Sequence, residues 1–195
     1  MVSLRLAAAG SMLIILSACG GATVTSDQDR PTPSIDATAH STVDGVETWD
    51  LTGQPSDAAF GIEADSATAV YESQGARPVR IVLGDRTVET DANLVDFRRG
   101  GSGDYTFRVS TPQLESDPLT TEFRTLLDQV GLDAAAADRF ARQVAAAPPD
   151  QPEKIEVGTG DDTTTFGHWS VAPSATFTPL AGLGRVVLAG ASPAL

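Results

Sequence analysis

Apolar and polar positions alternate through much of the segment 47–110. Glu47-Thr48-Trp49-Asp50-Leu51 places Trp49 and Leu51 on one face of an extended chain. Residues 67–72 form a second candidate strand. Val79-Arg80-Ile81-Val82-Leu83 and residues 86–90 flank Gly84-Asp85, the turn chemistry of a two-residue hairpin. Residues 93–98 and 105–110 make another hairpin around Gly100-Gly101-Ser102-Gly103-Asp104. This stretch predicts a meandering antiparallel sheet.

The period then changes. Ser116-Asp117-Pro118 offers a capping side chain and a proline in the first turn of a helix. Leu119, Phe123, Leu126, Leu127 and Val130 follow at helical spacing and define one face, and Gly131 ends the run. Asp133 caps a second helix through Ala147, with Ala136, Phe140 and Val144 inward and Pro148-Pro149 as its stop. Strands resume over residues 154–157, 163–171 and 185–189. Strands, a helical pair and further strands predict an α+β domain: an antiparallel sheet of several hairpins with a central helical hairpin packed on one face. It spans residues 47–195, a length that supports one core without metal or disulfide.

The first 46 residues lack this patterning. Residues 20–46 are dominated by small, hydroxylated, acidic and proline residues, a composition that cannot bury enough apolar area to offset its ordering entropy. With Cys19 they are expected to form a disordered tether. Ahead of it, Arg5 precedes an apolar run over residues 6–16, which is the charged start and short apolar middle of a secretory signal. That run is about half the length of a membrane-spanning helix, which needs roughly 20 apolar residues. Leu16-Ser17-Ala18-Cys19 closes it and holds the sole cysteine of the chain. These four residues resemble the lipobox of bacterial lipoproteins. The resemblance implies a signal peptide over residues 1–18, cleavage between Ala18 and Cys19, and acylation of Cys19 on its thiol and its new amino group. Two or more acyl chains make a stable anchor, where one gives only marginal membrane binding. The implied place is the extracytoplasmic face of the cell membrane.

Charge narrows the choice of partner. The chain carries a formal net charge of −13, and removing residues 1–18 takes away Arg5 and no acid, leaving −14. Nucleic-acid binding rests on neutralised phosphates, so so acidic a chain is a poor reader of DNA or RNA. Residues 121–143 superficially match a helix-turn-helix, but the second helix lacks the basic and amide side chains that a groove requires.

Candidate chemistry is sparse. His40 falls in the expected tether, and His168 in Gly167-His168-Trp169 falls in an expected strand. No G-x-S-x-G elbow occurs, and Cys19 is consumed as the anchor, so neither a serine nor a thiol hydrolase is indicated. Two separated histidines do not make a zinc site. Asp161-Asp162 with Gly158 and Gly160 lacks the D-x-D-x-D-G spacing of a calcium loop and fits a turn between strands. Gly100 to Asp104 follows Arg98-Arg99 but does not open a helix or end in Lys-Ser/Thr, so it reads as a hairpin tip. Trp49, Trp169, Tyr71 and Tyr105 read as core or half-buried aromatics. No catalytic, cofactor or metal residue is assigned. The expectation is a membrane-anchored binding or interaction module of the cell envelope, whose partner is an envelope protein or a small ligand. Two alternatives stay open. One is an envelope hydrolase with a carboxylate pair, which no motif would betray; the other is a carrier of an apolar ligand.

Overall fold

A computed structural model describes residues 39–160 and 162–193. The signal segment, Ala18, Cys19 and most of the expected tether lie outside these residues. Among the described residues the chain is mixed α and β: nine strands in one mostly antiparallel sheet, with three helices.

Strand structure is present ahead of residue 47, within the stretch expected to be tether. β1 (His40–Val43) pairs antiparallel with β2 (Val46–Asp50), so residues 40–46 are not tether. Asp44 and Gly45 take φ values of 53° and 81°, a left-handed pair that closes a two-residue hairpin. β2 then pairs parallel with β3 (Thr68–Leu83), a departure from an all-antiparallel meander. Parallel strands need a crossover, and residues 51–67 supply it through the short helix α1 (Asp57–Phe60). Ser56 caps that helix by accepting a hydrogen bond from the Ala59 N–H at 3.2 Å.

The two separate strands expected at residues 67–72 and 79–83 are one 16-residue strand, β3, and residues 86–98 belong to one strand, β4 (Arg86–Arg99). Pairing runs the length of both, from Thr68↔Arg98 to Leu83↔Arg86, with an irregularity between Glu72 and Arg77. The polar run Ser73-Gln74-Gly75-Ala76 reads as a break because a bulge interrupts side-chain alternation without ending the ladder. β5 (Tyr105–Ser110) returns beside β4 from the glycine-rich tip, as the alternation predicts.

Helices α2 (Ser116–Gln129) and α3 (Ala135–Ala146) fall where the periodicity puts them. Asp133 accepts from the Ala135 N–H at 2.8 Å, but it precedes the N-cap of α3, which is Ala134. The N-cap of α2 is likewise Glu115 rather than Ser116, and neither helix has a side-chain cap at that position. α2 buries Leu119, Phe123, Leu126 and Leu127; α3 buries Ala136, Ala137 and Phe140, while Val144 is only half-buried. Phe123 meets Phe140 edge-on at 6.0 Å. α2 is tied to β4 by Thr90, which donates to Glu122 at 2.7 Å, and by Gln129, which exchanges hydrogen bonds with both backbone groups of Glu89.

The expected strand over 163–171 is broken. Gly167 and His168 form a turn between β7 (Thr164–Phe166) and β8 (Trp169–Thr178). β6 (Ile155–Gly158) also pairs with β8. β9 (Leu183–Ser192) lies between β5 and β8, paired on both sides, so the apolar C-terminal segment is an interior strand. The strand order is β1-β2-β3-β4-β5-β9-β8-β6, with β7 against β8.

One face of this sheet carries the core. Trp49, Phe97, Phe107, Trp169, Val186 and Leu188 are essentially inaccessible on it. Phe97 stacks on Phe60 at 4.5 Å and tilts against Trp49 at 4.6 Å. Gly190 sits beneath the Phe107 ring, where any Cβ would collide with the ring edge. A glycine is required at this point of closest approach.

Candidate binding face

Strand alternation gives the side chains opposite the core a second surface. Register aligns Val70, Asp96, Arg108, Ala189 and Ala172 in one row across β3, β4, β5, β9 and β8. The adjoining row is Thr68, Arg98, Thr106, Ala191 and Ser170. Val70 is 56% exposed, and Ala189, Ala191 and Ser170 are exposed too, so no described segment covers this face.

Asp96 is the exception. Its side chain is only 4% exposed although it stands on the open face. Arg108 donates from Nε to Oδ2 at 2.7 Å, and Arg98 donates from Nε to Oδ1 at 3.4 Å. One carboxylate therefore orients two guanidinium groups from neighbouring strands. Among the described residues the terminal Nη groups of both arginines have no hydrogen-bond partner, and the side chains of Arg98 and Arg108 remain 58% and 44% exposed, respectively.

A shallow cavity of about 480 Å³ runs from this cluster over β9 and β8 to Thr163. Its floor is Ala172, Ala189, Gly190 and Ala191, with Thr106 and Ser170 beside them. No side chain longer than threonine rises from the strands between Arg108 and Thr163. The chemistry on offer is two forked cationic donors at one end of a mostly aliphatic trough.

Other polar clusters serve the frame. Glu47 is nearly buried; it accepts from the Trp49 indole at 2.7 Å and pairs with Arg77. His40 packs on Trp49 with ring centroids 4.5 Å apart, its Nε2 3.7 Å from Glu47. Burial lowers the His40 pKa, and Arg77 adds to this, while Glu47 opposes it. His40 is thus a half-buried strand residue rather than a solvated tether residue, because the β1–β2 hairpin lays it on the tryptophan. Asp57 pairs with Arg99 and accepts from the Tyr105 hydroxyl at 3.1 Å, which fastens α1 to the sheet. Burial, and then that hydrogen bond, push the Tyr105 hydroxyl up.

The remaining sequence candidates are dispersed. His168 is exposed in the β7–β8 turn, not in a strand. Asp162 is exposed in the β6–β7 loop, beside a polar cleft of about 540 Å³ that also holds Asp133, Arg139 and Thr159. The Thr159 hydroxyl is buried there without a hydrogen-bond partner among the described residues. Those residues contain no cluster of three or more His, Cys, Asp or Glu arranged for a metal ion. No described helix is long and apolar enough to cross a membrane. The sequence marks Arg98 only as half of an Arg-Arg pair, and the structure separates the two: Arg98 faces outward and Arg99 pairs with Asp57. Asp96 and Arg108 carry no sequence signal, since only the β4–β5 register makes them neighbours.

The chain matches no protein-family model, and no significant match is found among curated proteins or solved structures.

Proposed function

We propose that this protein is a lipid-anchored binding module of the cell envelope, held through Cys19 on the extracytoplasmic face of the membrane. Its binding surface is the outer face of β4, β5, β9 and β8. The anchor rests on the Leu16-Ser17-Ala18-Cys19 motif behind a short apolar run. The two longer helices act as a hairpin that covers the opposite face, which leaves this one for a partner.

The observation that carries the reading is the Arg98–Asp96–Arg108 cluster. A nearly buried carboxylate on an open sheet face, holding two arginines by Nε alone, orients their free donors over a smooth floor. An ordinary solvated face has no need of it. Burying a carboxylate without partners is costly, so the two arginines offset the burial of Asp96, but they do so through Nε alone and their Nη donors are left over.

A photoreactive residue at Ala189 tests the reading in native membranes. Capture that is lost in the Arg98→Ala/Arg108→Ala double variant supports it. Capture that is indifferent to the two arginines refutes it. Metabolic labelling with a clickable fatty acid tests the anchor: label is expected on the wild-type chain and absent from Cys19→Ser.

A further inference from the structure

We infer that the trough takes an amphiphile with a single carboxylate, its head between Arg98 and Arg108 and its aliphatic body along Ala189, Ala191 and Ala172. The inference rests on the outer face being the binding surface, and it names the class of ligand.

Charge count sets the head. Arg98, Arg108 and Asp96 together carry one net positive charge, which one monoanion neutralises. Asp96 occupies the Nε groups, leaving the paired Nη donors of each fork, the geometry that matches a planar carboxylate. The overall acidity of the chain does not forbid this. Charges more than about 8–10 Å from the head are largely screened at physiological ionic strength.

The floor sets the body. Methyl groups of Ala172, Ala189 and Ala191 and the backbone of Gly190 present carbon to the trough, with no ionisable group among them. From β5 across β9 and β8 to the Thr163 side is about three strand spacings, or roughly 14 Å. That length suits an extended alkyl chain. The cavity is shallow, so the ligand stays partly exposed and binding is modest. The space between sheet and helices is instead filled by side chains, with Leu119, Phe123 and Leu127 fully buried.

The test is titration of the full chain with decanoate below its micelle concentration, followed by saturation-transfer NMR and calorimetry. Acetate, decyl maltoside and decyl phosphate serve as comparisons. Decanoate is expected to bind at least about tenfold more tightly than acetate, which lacks the body, and than decyl maltoside, which lacks the charge. Arg98→Ala/Arg108→Ala is expected to weaken decanoate by about ten- to a hundredfold, as loss of charge-assisted hydrogen bonds does. Ala189→Phe, an exposed strand position, is expected to block it by filling the trough while the circular dichroism spectrum is kept.

Equal affinity for acetate would overturn the amphiphile, and tighter binding of decyl phosphate than decanoate would overturn the carboxylate. Decanoate binding unchanged in both variants would overturn the site. Arginine-dependent capture at Ala189 without decanoate binding would overturn this ligand class yet leave the binding face intact. Failure of both would remove the face as well.

Discussion

The indole N–H of Trp169 donates to the carbonyl of Leu51 at 3.0 Å, across 118 residues of chain. Trp169 opens β8 and Leu51 follows β2, strands that are not neighbours in the sheet order. The bond shows that the sheet curls until its two halves meet. Gly84 and Gly167, in the β3–β4 and β7–β8 turns, approach at the same end, where a Cβ on Gly84 would lie 3.8 Å from the Gly167 nitrogen.

Trp169→Phe keeps most of the apolar ring and removes the donor. It leaves a buried carbonyl unsatisfied, which costs about 1–3 kcal/mol. For a chain of this size that is a fall in Tm of roughly 2–4 °C per kcal/mol, readable by calorimetry. An unchanged Tm would mean that the curl is held elsewhere.

Gly190 and Phe107 are coupled by exclusion. Gly190→Ala forces a methyl group into the Phe107 ring, an overpacking that costs about 1–3 kcal/mol. Phe107→Leu alone costs energy by losing ring area. In the double variant the two losses should fall short of additive by more than about 0.5 kcal/mol. Denaturant unfolding of the four chains measures the coupling, and strict additivity would separate the residues.

His40 gives the chain an acid-sensitive first hairpin. Its pKa is lowered in the folded state, chiefly by burial, from a reference of 6.5. The unfolded chain therefore binds more protons just below that value, and stability falls as pH drops through this window. Below the folded pKa both states are protonated and the loss levels off. His40→Gln should flatten this part of the stability curve. NMR titration of the His40 ring should place its midpoint below the reference value of 6.5.

Glu47→Gln keeps an acceptor for the Trp49 indole and strips Arg77 of its counter-charge. Arg77 and Glu47 are only 22% and 11% exposed, so the loss is that of a largely buried pair, about 3 kcal/mol. Glu47 also raises the His40 pKa, so the substitution should move the His40 midpoint lower still. A midpoint that rises would contradict the contact.

How much of this was legible in the residues depends on range. The alternation of 47–51, 79–90 and 105–110 gave strands, and the spacing of Leu119, Phe123, Leu126 and Leu127 gave a helix with its buried side. These are local signals, set by side-chain period and turn chemistry. Asp44-Gly45 was also a readable hairpin turn, but the strand ahead of it has only four residues and three of them, His40, Ser41 and Thr42, are polar, so composition masked β1. The merging of residues 67–83 into one strand could not be read, because a bulge disrupts alternation while the ladder persists.

The candidate site was invisible for a different reason. Asp96 and Arg108 are 12 residues apart, and Ala189 and Ala172 lie far beyond them in the chain. Only register across four strands brings them to one row. The sequence alone determined the local elements and, through Leu16-Ser17-Ala18-Cys19, the motif for an anchor. The tertiary structure decided which polar residues face the same way, because cross-strand neighbours are chosen by pairing and curl, not by separation along the chain.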